Sequence, residues 1–480
     1  MKHTLCLLLA LLLLCGCTPT PEPGSAPSAS AHPAPAATGT APVGPEALEA
    51  GTVLFYRQAD FEARQGVLLP LTLVRSAPEE ALLPRTHVYD ELFPGDGALL
   101  LRLLDYALAN GYQGFSVPAG TLPTPDAKQY RALEFTYWID GGGILSSEKD
   151  GCLTFWHSCQ RDDEMEKFSL GLAAAREIAA QAPRGDDWET TAWIISWLAE
   201  HVAYGERTPY YFKRGHMLCD ALVDRNCLCS GYANALYYLC SLCGIECLNV
   251  FGLSRAPDKP GGLDDHLWNY VRIYGSWYVC DPTMNAVSQL GGPPVAIGLS
   301  AETMYLLGGN KPTGAYTDAS LIPACETNFD PVTAWNATPE GALRSWLWFA
   351  GYDALEPTFL LLQAGLMTGE TERALSDDGE TVALDIPWAD FSAWADRFMR
   401  PEARAELPIR FSEAEDGGLL LRRSETDTRS FFLSLELRAV TDKGEGTWSA
   451  DLGTASADFS LSQNADGLYR IETIQLTPHE

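Results

Sequence analysis

The sequence predicts an α+β protein: a central segment in which helices are followed by an antiparallel sheet, flanked by N- and C-terminal α+β domains. Three observations carry that reading. The chain has 480 residues, 46% hydrophobic and 20% charged, enough to bury several cores and unlike disordered, collagen-like or coiled-coil compositions. Apolar residues recur at helical spacing from about 165 to 243, then at a period of two from about 248 to 281. Shorter helix and strand signals, punctuated by turn residues, occupy both flanks.

The N-terminus opens with Met1-Lys2-His3, an apolar run from Leu5 to Leu14, and Leu14-Cys15-Gly16-Cys17. A basic tip, a short apolar stretch and small residues before a cysteine form an export signal. The run is about ten residues, against about 20 needed to span a bilayer. Leu-x-Gly-Cys resembles the bacterial lipobox, which implies cleavage before Cys17 and lipidation of its thiol; an ordinary signal cut nearby is the other reading. Residues 18–47 are mostly Pro, Ala, Ser, Thr and Gly and cannot offset the entropy of ordering, so a disordered tether is expected. The expected product is extracytoplasmic and lipid-anchored to a bacterial cell membrane. With 33 basic against 63 acidic residues and a formal net charge of −30, no nucleic-acid partner is expected.

Residues 48–160 suggest a small α+β domain, with strands at Gly51–Tyr56 and Val67–Val74 and a helix from Gly97 to Ala109 stopped by Asn110-Gly111. Nothing there carries recognisable chemistry. Residues 161–332 begin with helices over Met165–Ala182 and Trp188–Val202, the latter capped by Asp186 or Asp187. A third, amphipathic helix starts at Cys229, its core face formed by Ala233, Leu236, Tyr237, Cys240 and Cys243. Strands follow at Leu248–Leu253, His266–Ile273 and Trp277–Cys280. Residues 333–480 form the C-terminal α+β domain: Thr338-Pro339-Glu340 caps helices running to about Met367. Alternation then marks strands at Phe431–Leu437, Phe459–Leu461 and Tyr469–Ile474, with Asp466-Gly467 as a hairpin turn.

Of thirteen cysteines, Cys6 and Cys15 leave with the signal and Cys17 is the lipidation candidate. The remaining ten include one candidate nucleophile, and nine cannot all pair, so they are no complete disulfide framework. Cys240-Ser-Leu-Cys243 has metal spacing, but it lies on the core face of a helix and no second ligand pair follows, so no metal or other cofactor is expected.

Cys229-Ser230-Gly231 places a thiol at the first turn of a helix. The N-terminal dipole and backbone N–H groups there favour a thiolate and supply donors for an oxyanion. A nucleophilic thiol then needs a base and an orienting group. His266 and Asp281 lie on strands joined around Tyr274-Gly275. Across a two-residue turn, directly opposed residues differ by an odd number; 281 − 266 = 15 is odd, so both side chains share a face. Asp281 falls opposite Trp268 and diagonal to His266, within reach of the imidazole. Trp268 shares that face and would wall the site, a core role being the alternative. Taken singly, Cys229 also reads as a buried thiol, His266 as a satisfied strand histidine and Asp281 as the cap of the Asp281-Pro282-Thr283 turn.

Together, Tyr204, Cys229-x-Gly-Tyr-Ala, Gly244-Ile245, Val250-Phe-Gly252, His266-x-Trp-Asn and Gly275-x-Trp-Tyr-x-x-Asp-Pro-Thr283 resemble the transglutaminase-like superfamily over about 190–290. Within it, the closer resemblance is to bacterial exported proteins grouped with a transglutaminase/protease-like cytokinesis protein. The resemblance implies a papain-like core with Cys229, His266 and Asp281 as catalytic residues. The calcium sites of the eukaryotic enzymes are not found. The implied reaction is acyl transfer through a Cys229 thioester. Hydrolysis of peptide or isopeptide bonds in envelope proteins or wall peptides is the favoured outcome; protein cross-linking and a non-catalytic surface scaffold are the alternatives. The stretch from Trp388 to Leu419 weakly resembles accessory domains of other exported bacterial proteins.

Overall fold

In a computed structural model the described residues are 48–57, 65–84, 92–126, 129–130, 133, 144–157, 164–205, 217–255, 262–284, 296–313, 322–351, 373–375, 381–423, 431–432, 434–435 and 437–479. The export signal, Cys17, the tether, Cys159 and the helix expected beyond residue 351 lie outside them. The described residues form two compact units, one between 48 and 284 with 308–313 and 322–324, the other between 296 and 307 and between 325 and 479.

The first unit opens with an antiparallel sheet of β1 (Thr52–Tyr56), β2 (Val67–Pro70), β3 (Gly114–Pro118), β4 (Ile144–Lys149) and β5 (Cys152–His157), in the order β2-β1-β3-β5-β4. The strand expected over Val67–Val74 ends at Pro70, and α1 (Leu71–Arg75) follows at once. Proline has no N–H to continue a ladder, and its fixed φ lets it serve as the helix N-cap. Helix α2 (Asp96–Ala109) buries Leu99, Leu100, Leu103, Leu104, Ala107 and Leu108 on one face, as its spacing requires.

Helix α3 (Glu164–Ala179) ends three residues before the expected stop. Helix α4 (Asp187–His201) has Asp186 as N-cap, its carboxylate accepting from the Glu189 N–H at 2.8 Å. Short strands β6 (Ala203–Tyr204) and β7 (Asn226–Cys227) pair in parallel, with α5 (Leu218–Leu222) between them in sequence. Helix α6 (Cys229–Leu242) follows β7 directly. It is not amphipathic: every residue from Cys229 to Cys240 is buried, because α3, α4 and α5 pack on it as well as the sheet. A helix enclosed on all sides must satisfy its polar groups internally, and Asn234 does so by accepting from the Asn249 Nδ2 at 2.9 Å.

The second sheet of this unit, in the order β10-β9-β8-β11, comprises β8 (Cys247–Arg255), β9 (Leu263–Ile273), β10 (Ser276–Cys280) and β11 (Lys311–Pro312), all antiparallel neighbours. Ser276 pairs with Ile273, so β9 and β10 are joined by the two residues Tyr274 and Gly275, at φ 48° and 85°. Positive φ at both positions is the geometry whose twist matches a two-residue hairpin. Tyr274 is held there from outside the sheet: its N–H donates to Asp187 at 3.0 Å and its hydroxyl to Asp186 at 2.6 Å.

The other unit contains α7 (Ala301–Gly308), α8 (Pro331–Trp335) and α9 (Pro339–Gly351), which Thr338 caps by accepting from the Gly341 N–H at 3.0 Å. One four-stranded sheet has the order β12-β13-β15-β14: β12 (Arg373–Leu375), β13 (Thr381–Pro387), β14 (Ile409–Glu413) and β15 (Gly418–Arg423). Between β13 and β14 lie α10 (Trp388–Ala395) and α11 (Pro401–Arg404). A meander of β16 (Ala439–Gly444), β17 (Thr447–Asp451), β18 (Ala455–Gln463) and β19 (Tyr469–Pro478) completes it, with Asp466-Gly467 in the last turn. One core, centred on Trp346, Phe391, Trp394, Leu421 and Ile471, joins both sheets and the helices. The strand expected over Phe431–Leu437 is not formed by its described residues; a turn closes from Phe431 to Ser434 instead. Phe431, Phe432, Leu435 and Leu437 all pack on that core, so the adjacent Phe431 and Phe432 do not point to opposite faces as strand residues would.

Candidate active site

The candidate catalytic residues and Trp268 all lie in the first unit, on α6, on β9 and just after β10. Cys229 is the first residue of α6 and is 2% exposed. Leu228 before it is extended, at φ −97° and ψ −177°, and offers no side-chain cap. The N–H groups of a helix's first turn have no intrahelical acceptor, so this end of α6 presents amide donors beside the thiol. The chain reaches that point through β6 and β7, and the Tyr204 and Tyr232 rings, 6.3 Å apart and 16° from parallel, tie those strands to the helix. Tyr232 adds a hydrogen bond from its hydroxyl to the Val202 carbonyl at 2.5 Å.

His266 and Asp281 meet directly. The His266 Nε2 lies 2.7 Å from the Asp281 Oδ2, with both side chains almost fully buried. Cys280 pairs with Asn269, so the next residue, Asp281, falls at the level of Trp268, diagonal to His266. A carboxylate can only accept, so Nε2 carries the proton and Nδ1 is the ring nitrogen that can exchange one with a thiol. Asp281 also fills the second role its sequence suggested. Its Oδ1 accepts from the backbone N–H groups of Thr283 at 3.0 Å and Met284 at 3.3 Å, while Oδ2 serves the histidine. Trp268, 1% exposed, covers His266 with its ring 5.7 Å away and 28° from parallel. Gly252, paired with His266 on β8, leaves the room: a Cβ there would come within 2.7 Å of the Trp268 ring and collide with the Lys311 carbonyl.

Alternation along β9 puts Asn269 on the face away from Trp268. There it donates to the Ala233 carbonyl of α6 at 3.0 Å and to the Asn249 Oδ1 at 2.8 Å, and Asn249 donates on to Asn234. This amide chain welds α6 to β8 and β9 and was not legible from residue type alone. Asn310 was missed too; its Nδ2 donates to the Asp281 Oδ2 at 3.3 Å.

The surrounding thiols are held in the opposite state from a nucleophile. Burial pushes the Cys227 thiol well up, helped by neighbouring Asp220 and Cys229 and opposed by a hydrogen bond from the Tyr232 N–H. Burial likewise raises Cys240, which is hydrogen-bonded to Cys247. Cys243 is pushed up to about 11 by partial burial, against the pull of Arg184. The two cysteines of the C-x-x-C spacing therefore face different partners, Cys240 towards Cys247 and Cys243 towards the Ala179 carbonyl.

A cysteine opening a buried helix, followed in the chain by a histidine and an aspartate paired on an antiparallel hairpin, defines the papain-like class of α+β fold. Residues 173–282 match the transglutaminase-like superfamily. It is similar to the human kyphoscoliosis peptidase, 30% identical over 107 residues that make up 20% of this chain and 16% of that protein's length. Among solved structures, a TGase matches at 12% identity over 34% of this chain and 48% of its own, with a TM-score of 0.21. The periplasmic domain of TgpA from Pseudomonas aeruginosa matches at 17% identity over 29% of this chain and 58% of its own, with a TM-score of 0.20.

Proposed function

We propose that this chain is an extracytoplasmic thiol enzyme, tethered through a lipidated Cys17, that transfers acyl groups through a Cys229 thioester. The observation that carries the reading is the buried 2.7 Å bond between His266 and Asp281, downstream of a cysteine at a helix N-terminus. A buried imidazole oriented by a carboxylate is what a thiol needs to be deprotonated and a leaving amine needs to be protonated. In the first half-reaction the Cys229 sulfur attacks a carboxamide carbon. The oxyanion is met by amides at the start of α6, and the amine departs with the proton from the His266 Nδ1. Water then releases the acid, or a second amine takes the acyl group.

Hydrolysis is the favoured outcome, on peptide or isopeptide bonds of envelope proteins or wall peptides. The similarity of residues in this domain to a protein named as a peptidase supports it. Cross-linking is the alternative. The deciding experiment measures alkylation of each thiol against pH by peptide mapping, in wild type and His266→Ala. Fast, His266-dependent reaction of Cys229 at neutral pH is expected, with Cys227, Cys240 and Cys243 slow because their thiols are raised. Reaction of Cys229 no faster than these would move the scaffold reading ahead. Incorporation of a labelled amine into envelope peptides, lost in Cys229→Ala, would decide for cross-linking over hydrolysis.

A further inference from the structure

Four donors meet the Asp281 carboxylate: two backbone amides on Oδ1, and His266 with Asn310 on Oδ2. Three of the four come from residues within or just after the segment matched to the family; Asn310 lies 29 residues beyond Asp281 and outside that segment. It is 5% exposed. Gly309 before it takes φ 69°, where a Cβ would drive into the Arg255 side chain, and Lys311 after it starts the pairing of β11 with β8. The backbone on both sides of Asn310 is therefore fixed, and its amide is delivered to the same oxygen that accepts from His266.

We propose that Asn310 is a positioning residue: its side-chain amide holds the Asp281 Oδ2 in line with the His266 Nε2. This rests on the reading of Cys229, His266 and Asp281 as one relay. The backbone amides bind Oδ1, and the Asn310 amide adds a donor on Oδ2, the oxygen that faces His266. Because Oδ1 stays bound when Asn310 is lost, the fold should survive a substitution that the relay does not.

The test uses the full chain with Asn310→Ala and with Asn310→Asp, which keeps the shape but replaces a donor by a like charge. The first readout is the downfield proton NMR signal of the His266 Nε2–H, assigned by its loss in Asp281→Asn. The second is the pH profile of Cys229 alkylation. The signal is expected to move in Asn310→Ala and to disappear in Asn310→Asp, with Cys229 alkylation near neutral pH falling about tenfold in the first and further in the second. If both variants leave signal and profile unmoved while changing only the melting temperature, Asn310 is structural and the proposal falls, although the relay stands. If the signal moves but Cys229 is indifferent to His266→Ala, the relay itself falls and takes the Asn310 role with it.

Discussion

His157 and His266 are equally buried, each about 1% exposed, yet their surroundings treat the imidazole in opposite ways. His157 closes β5 at the end of the first sheet. Its backbone is bound on both sides to Gln113, but neither ring nitrogen has a hydrogen-bond partner among the described residues. Burial alone pushes it down to about 3, so it is a neutral core side chain. His266 has a carboxylate 2.7 Å away. Burial alone therefore does not distinguish the two rings; a buried carboxylate with its own donors does, because such a partner can stabilise a proton on a ring held away from water.

The largest effect should come from making His266 resemble His157. Asp281→Ala removes the carboxylate and the acceptor of two backbone amides together. We expect a stability loss of about 3–5 kcal/mol in urea unfolding, the cost of breaking a buried pair. Cys229 alkylation at neutral pH should slow by roughly three orders of magnitude. Asp281→Asn sharpens the comparison: a carbonyl oxygen can still receive the Thr283 and Met284 amides, so most stability returns while reactivity does not. Equal stability losses with unchanged Cys229 reactivity in both would make the pair structural.

Next in size is a pH effect from His157. The unfolded state takes up a proton below the ordinary histidine value of 6.5, whereas the folded state does so only near 3. The unfolded state thus binds more protons between those limits, and stability falls as pH drops from 6.5 towards 3, levelling off beyond either end. Between pH 7 and pH 5 the loss from this group is about 2 kcal/mol. His157→Leu should remove that part of the slope in urea unfolding at the two pH values. A variant whose slope matches wild type would show that the folded state accommodates a charged His157.

The difference between these histidines was only half visible in the sequence. The His266–Asp281 encounter follows from a period of two and a two-residue turn, both local properties of residues 266–281, and the same holds for Cys229 at the start of a helix. Asn310 and the Asn234–Asn249–Asn269 chain depend on which strands become neighbours, and the order β10-β9-β8-β11 brings β11 beside β8 across nearly sixty residues of sequence. Nothing local marks His157, because burial at a strand end is decided by what packs over it. The two misread strands failed for local reasons of another kind: Pro70 stops a ladder that alternation would continue, and the adjacent Phe431 and Phe432 answer to a shared core.

The smallest effect tests how the register itself is held. His266 reaches Asp281 only because the turn between their strands is two residues long, and a one-residue slip would turn one of the pair to the other face. Tyr274 occupies a left-handed conformation that few side chains favour, supported by bonds to Asp186 and Asp187. Asparagine tolerates that conformation, and Asn-Gly is the preferred pair for this turn. Tyr274→Asn loses an exposed phenol bond and relieves backbone strain, so unfolding free energy should change by no more than about 0.5 kcal/mol. The His266 downfield signal should stay where it is. If that signal moves or vanishes, the Tyr274 hydroxyl bond to Asp186, rather than turn geometry, sets the register that brings His266 to Asp281.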